Sequence, residues 1–239
     1  MAEKQIKEAV PEVLERAKGF WEKYSKRIII AGSVLIVLIG GYFGYKYLYK
    51  LPQEKKASDL IFTAEKLFGK MSTSSRYNKD TVNLVLNGGN TEGTVVTGLL
   101  KIINNYGSTP SGNRAQYMVG ACYLQLKEFD KAIKYLKAFD GNGANQIESK
   151  ADIMLGHAYA EKKNTEEALG YYKKAASVVE NDEGMATEAL FLAGMYADAM
   201  GKTKEAIELF QQLKDKYPAS QKVQSGDPDK YLAKLGVVK

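Results

Sequence analysis

Asn113 to Tyr135 reads NRAQYMVGACYLQLKEFDKAIKY, and its Gly120-Ala121-Cys122-Tyr123 returns as Gly156-His157-Ala158-Tyr159 and as Gly194-Met195-Tyr196-Ala197. Twelve residues after each glycine stands an alanine, Ala132, Ala168 or Ala206, and four residues beyond that a large apolar side chain, Leu136, Tyr172 or Phe210. Two antiparallel helices approach closely only where small side chains sit at their crossing. The glycine supplies one on the first helix and the alanine one on the second. The large residue lies one turn further along the same face and is expected to fill the space between successive hairpins. A helical hairpin repeated at this period makes an α-solenoid, an architecture that usually binds other chains rather than doing chemistry.

Working upstream, Gly98, Ile102 and Pro110 precede Ala132, Leu136 and Ala144 by 34 residues each. The small positions 98, 132, 168 and 206 are then separated by 34, 36 and 38 residues, as if one hairpin were kept while its connecting loop grows. The first helix of this degenerate unit is expected at Gln53 to Lys70, where Ala57, Leu60, Ile61, Ala64, Leu67 and Phe68 make an apolar stripe. Met71 to Thr91, rich in Ser, Asn and Gly, reads as a loop with room for a short turn of strand or helix at Thr81 to Leu86. Downstream, Tyr217-Pro218 ends the third unit's second helix. Asp227 and Pro228 look like the cap and first residue of a closing helix whose Tyr231, Leu232 and Leu235 pack back on the array.

Ile28 to Tyr45 is a run without a charge, flanked by Lys26-Arg27 and by Lys46 and Lys50. At about 1.5 Å per residue it covers roughly 27 Å, enough for one transmembrane helix with Tyr45, Tyr47 and Tyr49 at the interface. The run starts too late and lacks the small exit residues of a cleaved signal, and no cysteine follows it for a lipoprotein, so an uncleaved anchor is expected. Lys23, Lys26 and Arg27 favour a cytoplasmic N-terminus with the repeats outside, although lysines crowd the other flank as well. Val13, Ala17, Phe20 and Tyr24 share one face of the arm that leads into the anchor. That face suits either an interfacial lead-in or a docking helix. Gly40 and Gly44 form a Gly-x-x-x-Gly pair that either has no specific role or lets a membrane partner or second copy approach. The expected division is a cytoplasmic arm over 1–27, a transmembrane helix over 28–49, a degenerate unit with an inserted loop over 50–110, and three units plus a capping helix over 111–239.

The chain of 239 residues has a net charge of +6, one histidine and one cysteine. Residues 1–27 contribute +2 and 46–56 contribute +3, so headgroups account for much of the excess and no nucleic acid is implied. A lone histidine and a lone cysteine cannot build a Ser-His-Asp, Cys-His or multi-histidine metal site. No catalytic residue, metal or cofactor is expected, and no small-molecule substrate. Cys122 sits where a buried thiol is ordinary, and Asn87-Gly88-Gly89-Asn90 lacks the lysine of a phosphate loop and reads as a plain turn.

These motifs resemble the tetratricopeptide repeat (TPR), which is small at its eighth and twentieth positions and aromatic near its eleventh and twenty-fourth. The resemblance implies an all-α fold: a single transmembrane helix followed by about three and a half TPR hairpins and a capping helix. It also implies that the second, fifth and ninth places of each leading helix face a groove. Those places are Arg114, Tyr117 and Ala121, then Lys150, Ile153 and His157, then Glu188, Phe191 and Met195. Such a groove would suit unfolded or extended chains, unless neighbouring helices or the C-terminal segment cover it. With its short arm, one membrane helix and Gly120-Ala121-Cys122-Tyr123-Leu124 followed by Asp130-Lys131-Ala132-Ile133, the chain resembles the YfgM-like family of bacterial inner-membrane proteins. That resemblance implies an ancillary Sec translocon subunit, repeats in the periplasm, working with a membrane-anchored periplasmic chaperone on newly exported clients. The alternative is a scaffold that holds a cell-envelope assembly together through stable partners.

Overall fold

The computed structural model describes residues 2–73, 78–91 and 93–237. It is all-α apart from one small hairpin, and it divides into two units, residues 1–53 and 54–239.

In the first unit, α1 runs from Ala2 to Gly44, followed by a π-helical turn over Tyr45–Lys50. It holds a window of mean hydropathy 2.1 with none of it buried, the one stretch among the described residues that is long and apolar enough to cross a membrane. The aromatic end is ordered by ring contacts, Phe43 on Tyr47 at 6.0 Å and Tyr45 on Tyr49 at 5.6 Å. There is no break between the arm and the apolar run. Val13 lies outside the residues whose side chains are described, whereas Phe20 and Trp21 are exposed.

α2, Leu51–Thr73, carries the chain into the second unit; of its stripe Ala57, Ile61 and Ala64 are buried and Leu67 and Phe68 half-buried, whereas Leu60 is exposed and Met71, outside the stripe, is buried. The described part of Met71 to Thr91 is more ordered than a loop, with the short helix allowed at Thr81 to Leu86 present and longer. Beyond residues 74–77, which lie outside the described residues, comes α3, Lys79–Asn87, with Asn78 Oδ1 accepting from the backbone N–H groups of Asp80 and Thr81. Val82, Val85 and Leu86 of α3 are buried, an apolar period that the polar composition around it obscures. Asn87-Gly88-Gly89-Asn90 is no plain turn either, since Gly88–Thr91 forms β1 and pairs antiparallel with β2, Thr94–Thr97. The chain can leave α3 into the hairpin because Gly88 has φ +80°, and because a Cβ on Gly98 would sit 2.3 Å from the carbonyl carbon of Asn87. Gly98 therefore packs against the end of α3 and caps α4, Leu99–Tyr106, rather than lying inside a helix as Ala132 does. The strand has replaced the first turn of that second helix. Ile102 is nevertheless fully buried, as its counterpart Leu136 nearly is.

Three hairpins follow: α5 (Pro110–Gln125) with α6 (Phe129–Ala138), α7 (Asn145–Glu161) with α8 (Thr165–Val178), and α9 (Glu183–Ala199) with α10 (Thr203–Lys216). Each turns through one residue in the left-handed region, Lys127, Lys163 and Gly201, at φ +60°, +62° and +73°. In each the next N–H donates back to the first helix at 2.9 Å, Glu128 to Tyr123, Asn164 to Tyr159 and Lys202 to Ala197. The three glycines are small for a reason that differs from the one read in the sequence. A Cβ on Gly120, Gly156 or Gly194 would stand 2.5 Å from Leu136, 2.4 Å from Tyr172 or 2.7 Å from Phe210. Each large residue thus lies on the glycine of its own hairpin. It also reaches the next layer, as when Tyr172 meets Tyr196 at 5.1 Å.

Ala132, Ala168 and Ala206 are fully buried beside these pairs. After Pro218 the chain forms α11, Gln221–Gln224, and α12, Asp227–Lys234, capped by Gly226 rather than by Asp227. Pro228 and Leu232 of α12 are buried on the third hairpin, with Tyr231 and Leu235 half-buried beside them.

Candidate protein-interaction groove

The leading helices α5, α7 and α9 each carry three of the groove positions, and the structure surrounds them differently. On α5, Arg114 Nε donates to Glu65 Oε1 at 2.8 Å, and a second guanidinium nitrogen donates to Ser111 Oγ at 3.2 Å. Glu54 of α2 accepts from the Ser111 N–H at 3.0 Å and from its hydroxyl at 2.8 Å. That carboxylate binds the first turn of α5, where free N–H groups and the helix dipole favour a negative charge. Tyr117 stands between Phe68 of α2, at 6.4 Å, and Phe139, at 5.4 Å, and burial raises its phenol pKa above the ordinary value. Ala121 is buried. The first repeat's places are therefore largely taken up by α2 and by the end of α6.

The middle repeat is more open. Lys150 is exposed and has no ion pair among the described residues, and Ile153 is half-buried. His157 Nδ1 lies 2.8 Å from the Tyr172 hydroxyl, with much of the imidazole still exposed. Desolvation against its neighbours lowers the histidine pKa, opposed by the charge of Glu161. At neutral pH it is an uncharged hydrogen-bonding group, and Lys150 supplies the charge of this stretch.

On α9 the C-terminal segment lies over the groove positions. Lys222 pairs with Glu188 at 2.9 Å and sits 4.7 Å from the Phe191 ring centroid. Tyr231 meets Phe191 edge-on at 5.4 Å and stacks on Phe210 at 4.9 Å. Met195 is half-buried against the same core. Nothing in the sequence of the segment Gln221 to Gln224 announces that its lysine would reach a groove residue.

A second set of residues follows the spacing of the repeat. Tyr123 stacks on Tyr135 at 5.6 Å and Tyr159 on Tyr171 at 5.4 Å, each pair separated by the same twelve residues as the glycine and alanine of its hairpin. Lys131 lies 5.0 Å over Tyr123, and Lys137 lies 5.3 Å over Tyr159 and 5.9 Å over Tyr171. Cys122 is fully buried, and burial pushes its thiol up to about 12, so it is inert packing at neutral pH. In the first unit a Cβ on Gly40 or Gly44 would meet nothing within 4 Å; close approach at that pair would take another chain. Among the described residues no group of three or more His, Cys, Asp and Glu side chains is arranged to hold a metal ion.

The chain matches a protein family described as a tetratricopeptide repeat-like domain over residues 18–226. No curated protein matches it.

Proposed function

This chain belongs to the tetratricopeptide repeat-like domain family, and from that premise we propose that it is a membrane-anchored protein-interaction module serving newly exported chains beside the translocon. Domains of this family are typically non-enzymatic and bind other proteins. The observation that carries the finer reading is the open face of α7, where exposed Lys150 and His157 flank half-buried Ile153. A short, mixed polar and apolar strip of this kind suits transient contact with many unfolded chains better than tight docking of one folded partner. The apolar run of α1 supports single-pass anchoring through residues 28–49, and Lys23, Lys26 and Arg27 favour a cytoplasmic N-terminus with the repeats in the periplasm of a bacterial inner membrane. Arg114, Tyr117, Glu188, Phe191 and Met195 extend the strip at its two ends, where a partner competes with α2 and with the C-terminal segment.

The alternative is a scaffold with stable envelope partners. In-cell photocrosslinking from position 150, with exposed Gly170 on α8 as the control, separates the two. Many nascent envelope proteins together with translocon subunits captured from 150 alone support the export role. One or two fixed partners at constant stoichiometry mean a scaffold, and equal capture from 170 rules out the groove.

A further inference from the structure

The third repeat's groove positions already hold a ligand-like group, and it is one of the chain's own lysines. Glu188 Oε1 at 2.9 Å and the Phe191 ring at 4.7 Å together bind the Lys222 ammonium, combining charge attraction with a cation–π contact. Lys222 keeps only 20% of its side-chain surface exposed, so the contact is made partly out of water. The segment that carries this lysine is seated by buried Ser220 before it and by half-buried Val223 on the core of the third hairpin. The four residues of α11 include none that is buried. By contrast α12 is fixed by buried Pro228 and Leu232, by the Lys214–Asp229 ion pair and by Lys234 on Asp198 at 2.6 Å.

Beside Lys222 opens a cleft of about 400 Å³ whose charged lining is Glu183, Glu188, Lys222 and Asp227. Three carboxylates thus face one ammonium. Asp227 is paired with Lys230 at 3.0 Å, Glu188 with Lys222, and Glu183 has no ion pair among the described residues. The cleft has room and surplus negative charge next to an aromatic face already shaped around a lysine.

The geometry points to a recognition site for a basic segment of an extended polypeptide, whose lysine replaces Lys222 between Glu188 and Phe191 and whose neighbouring cation enters the acidic cleft. This rests on the interaction role proposed above and names the chemistry of one end of that groove. The exchange is like for like: one ammonium leaves for water as another enters. Lys222 acts as a tethered competitor, and where it fills the site about nine-tenths of the time its removal tightens the partner roughly tenfold.

The test is fluorescence anisotropy with the full chain in detergent micelles. The probes are a labelled unfolded peptide of lysine and leucine and its twin with every lysine replaced by glutamine. Lys222→Ala tightens the lysine peptide about five- to tenfold and leaves the glutamine twin unchanged, while Glu188→Gln weakens the lysine peptide alone. Lys222→Gln removes the ammonium from Glu188 and from the Phe191 ring while keeping a polar side chain in α11, so it gives the same tightening even where the alanine loosens α11. If both peptides bind equally and neither Lys222 variant alters binding, the lysine site is wrong while the interaction role stands. If no variant binds either peptide, both readings fall.

Discussion

A Cβ built on Gly156 would stand 2.4 Å from Tyr172 Cε1, and the tyrosine has little freedom to move away. Its hydroxyl is held by His157 at 2.8 Å, and its ring meets Tyr196 at 5.1 Å. Gly156→Ala gains about 1 kcal/mol of helix propensity but overpacks a filled site, which costs about 1–3 kcal/mol. A net loss is expected, with a lower melting temperature, and Tyr172→Leu in the same chain should recover part of it because the two sites share one space. Additive effects would mean that the glycine is not there for the tyrosine. Asp152 tests a different balance. It is nearly buried on α7, and burial raises its pKa although Lys174 lies 3.1 Å away and pulls the other way. The folded chain therefore holds the Asp152 proton more tightly than the unfolded chain does. Stability from this group is fully present below the ordinary value of 3.8 and is lost as pH rises through the folded pKa. Asp152→Asn should raise the melting temperature at pH 7, with the gap to the parent chain closing near pH 3; a less stable variant at pH 7 would show that Lys174 outweighs the desolvation.

The elements repeat their turns more faithfully than their sequences. Lys127 and Lys163 occupy the left-handed position that Gly201 fills in the third hairpin, and a side chain there is strained where glycine is not. Lys127→Gly and Lys163→Gly are each expected to stabilise by about 0.5–1 kcal/mol even though glycine gains entropy in the unfolded chain. Denaturation midpoints check this, and a loss at either site would mean that its lysine makes a contact worth more than the strain. The three hairpins were readable because Gly120, Gly156 and Gly194, with their alanines, answer a packing demand that recurs in sequence at a fixed distance. The inserted segment was legible only as room for a short turn of strand or helix, because Val82, Val85 and Leu86 of α3 stand among Asn, Ser and Gly, and the strand pair that follows it has no apolar alternation to announce it. The groove was half legible. The resemblance to the repeat family is what put Tyr117, Ile153 and Phe191 at comparable places of their helices, but what covers Tyr117 and Phe191 depends on Phe68 and Tyr231, 49 and 40 residues away in the chain. Contacts at such separations leave no local pattern.

Over the whole repeat unit, residues 54–239, stability passes from hairpin to hairpin through neighbours, as it does in any array whose layers touch only the next. The last layer has no hairpin beyond it, so its apolar face depends on α12. Leu232 is 5% exposed there, and Tyr231 stacks at 4.9 Å on Phe210, which is fully buried and rests on Gly194. Leu232→Ala should cost about 2–4 kcal/mol from lost burial and the cavity left behind. The consequence is directional. Loosening α12 uncovers Phe210, then the contact of α9 with α10, and only through α8 does it reach the earlier hairpins. Hydrogen exchange on the variant should therefore show α9 and α10 losing protection first, α7 and α8 less, and α5 and α6 least. Equal loss in all three hairpins would show instead that residues 54–239 open as one cooperative body. In that case a partner bound at the third repeat would stabilise Arg114 and Tyr117 as much as Phe191, and the groove could not open at one end while the other stayed closed.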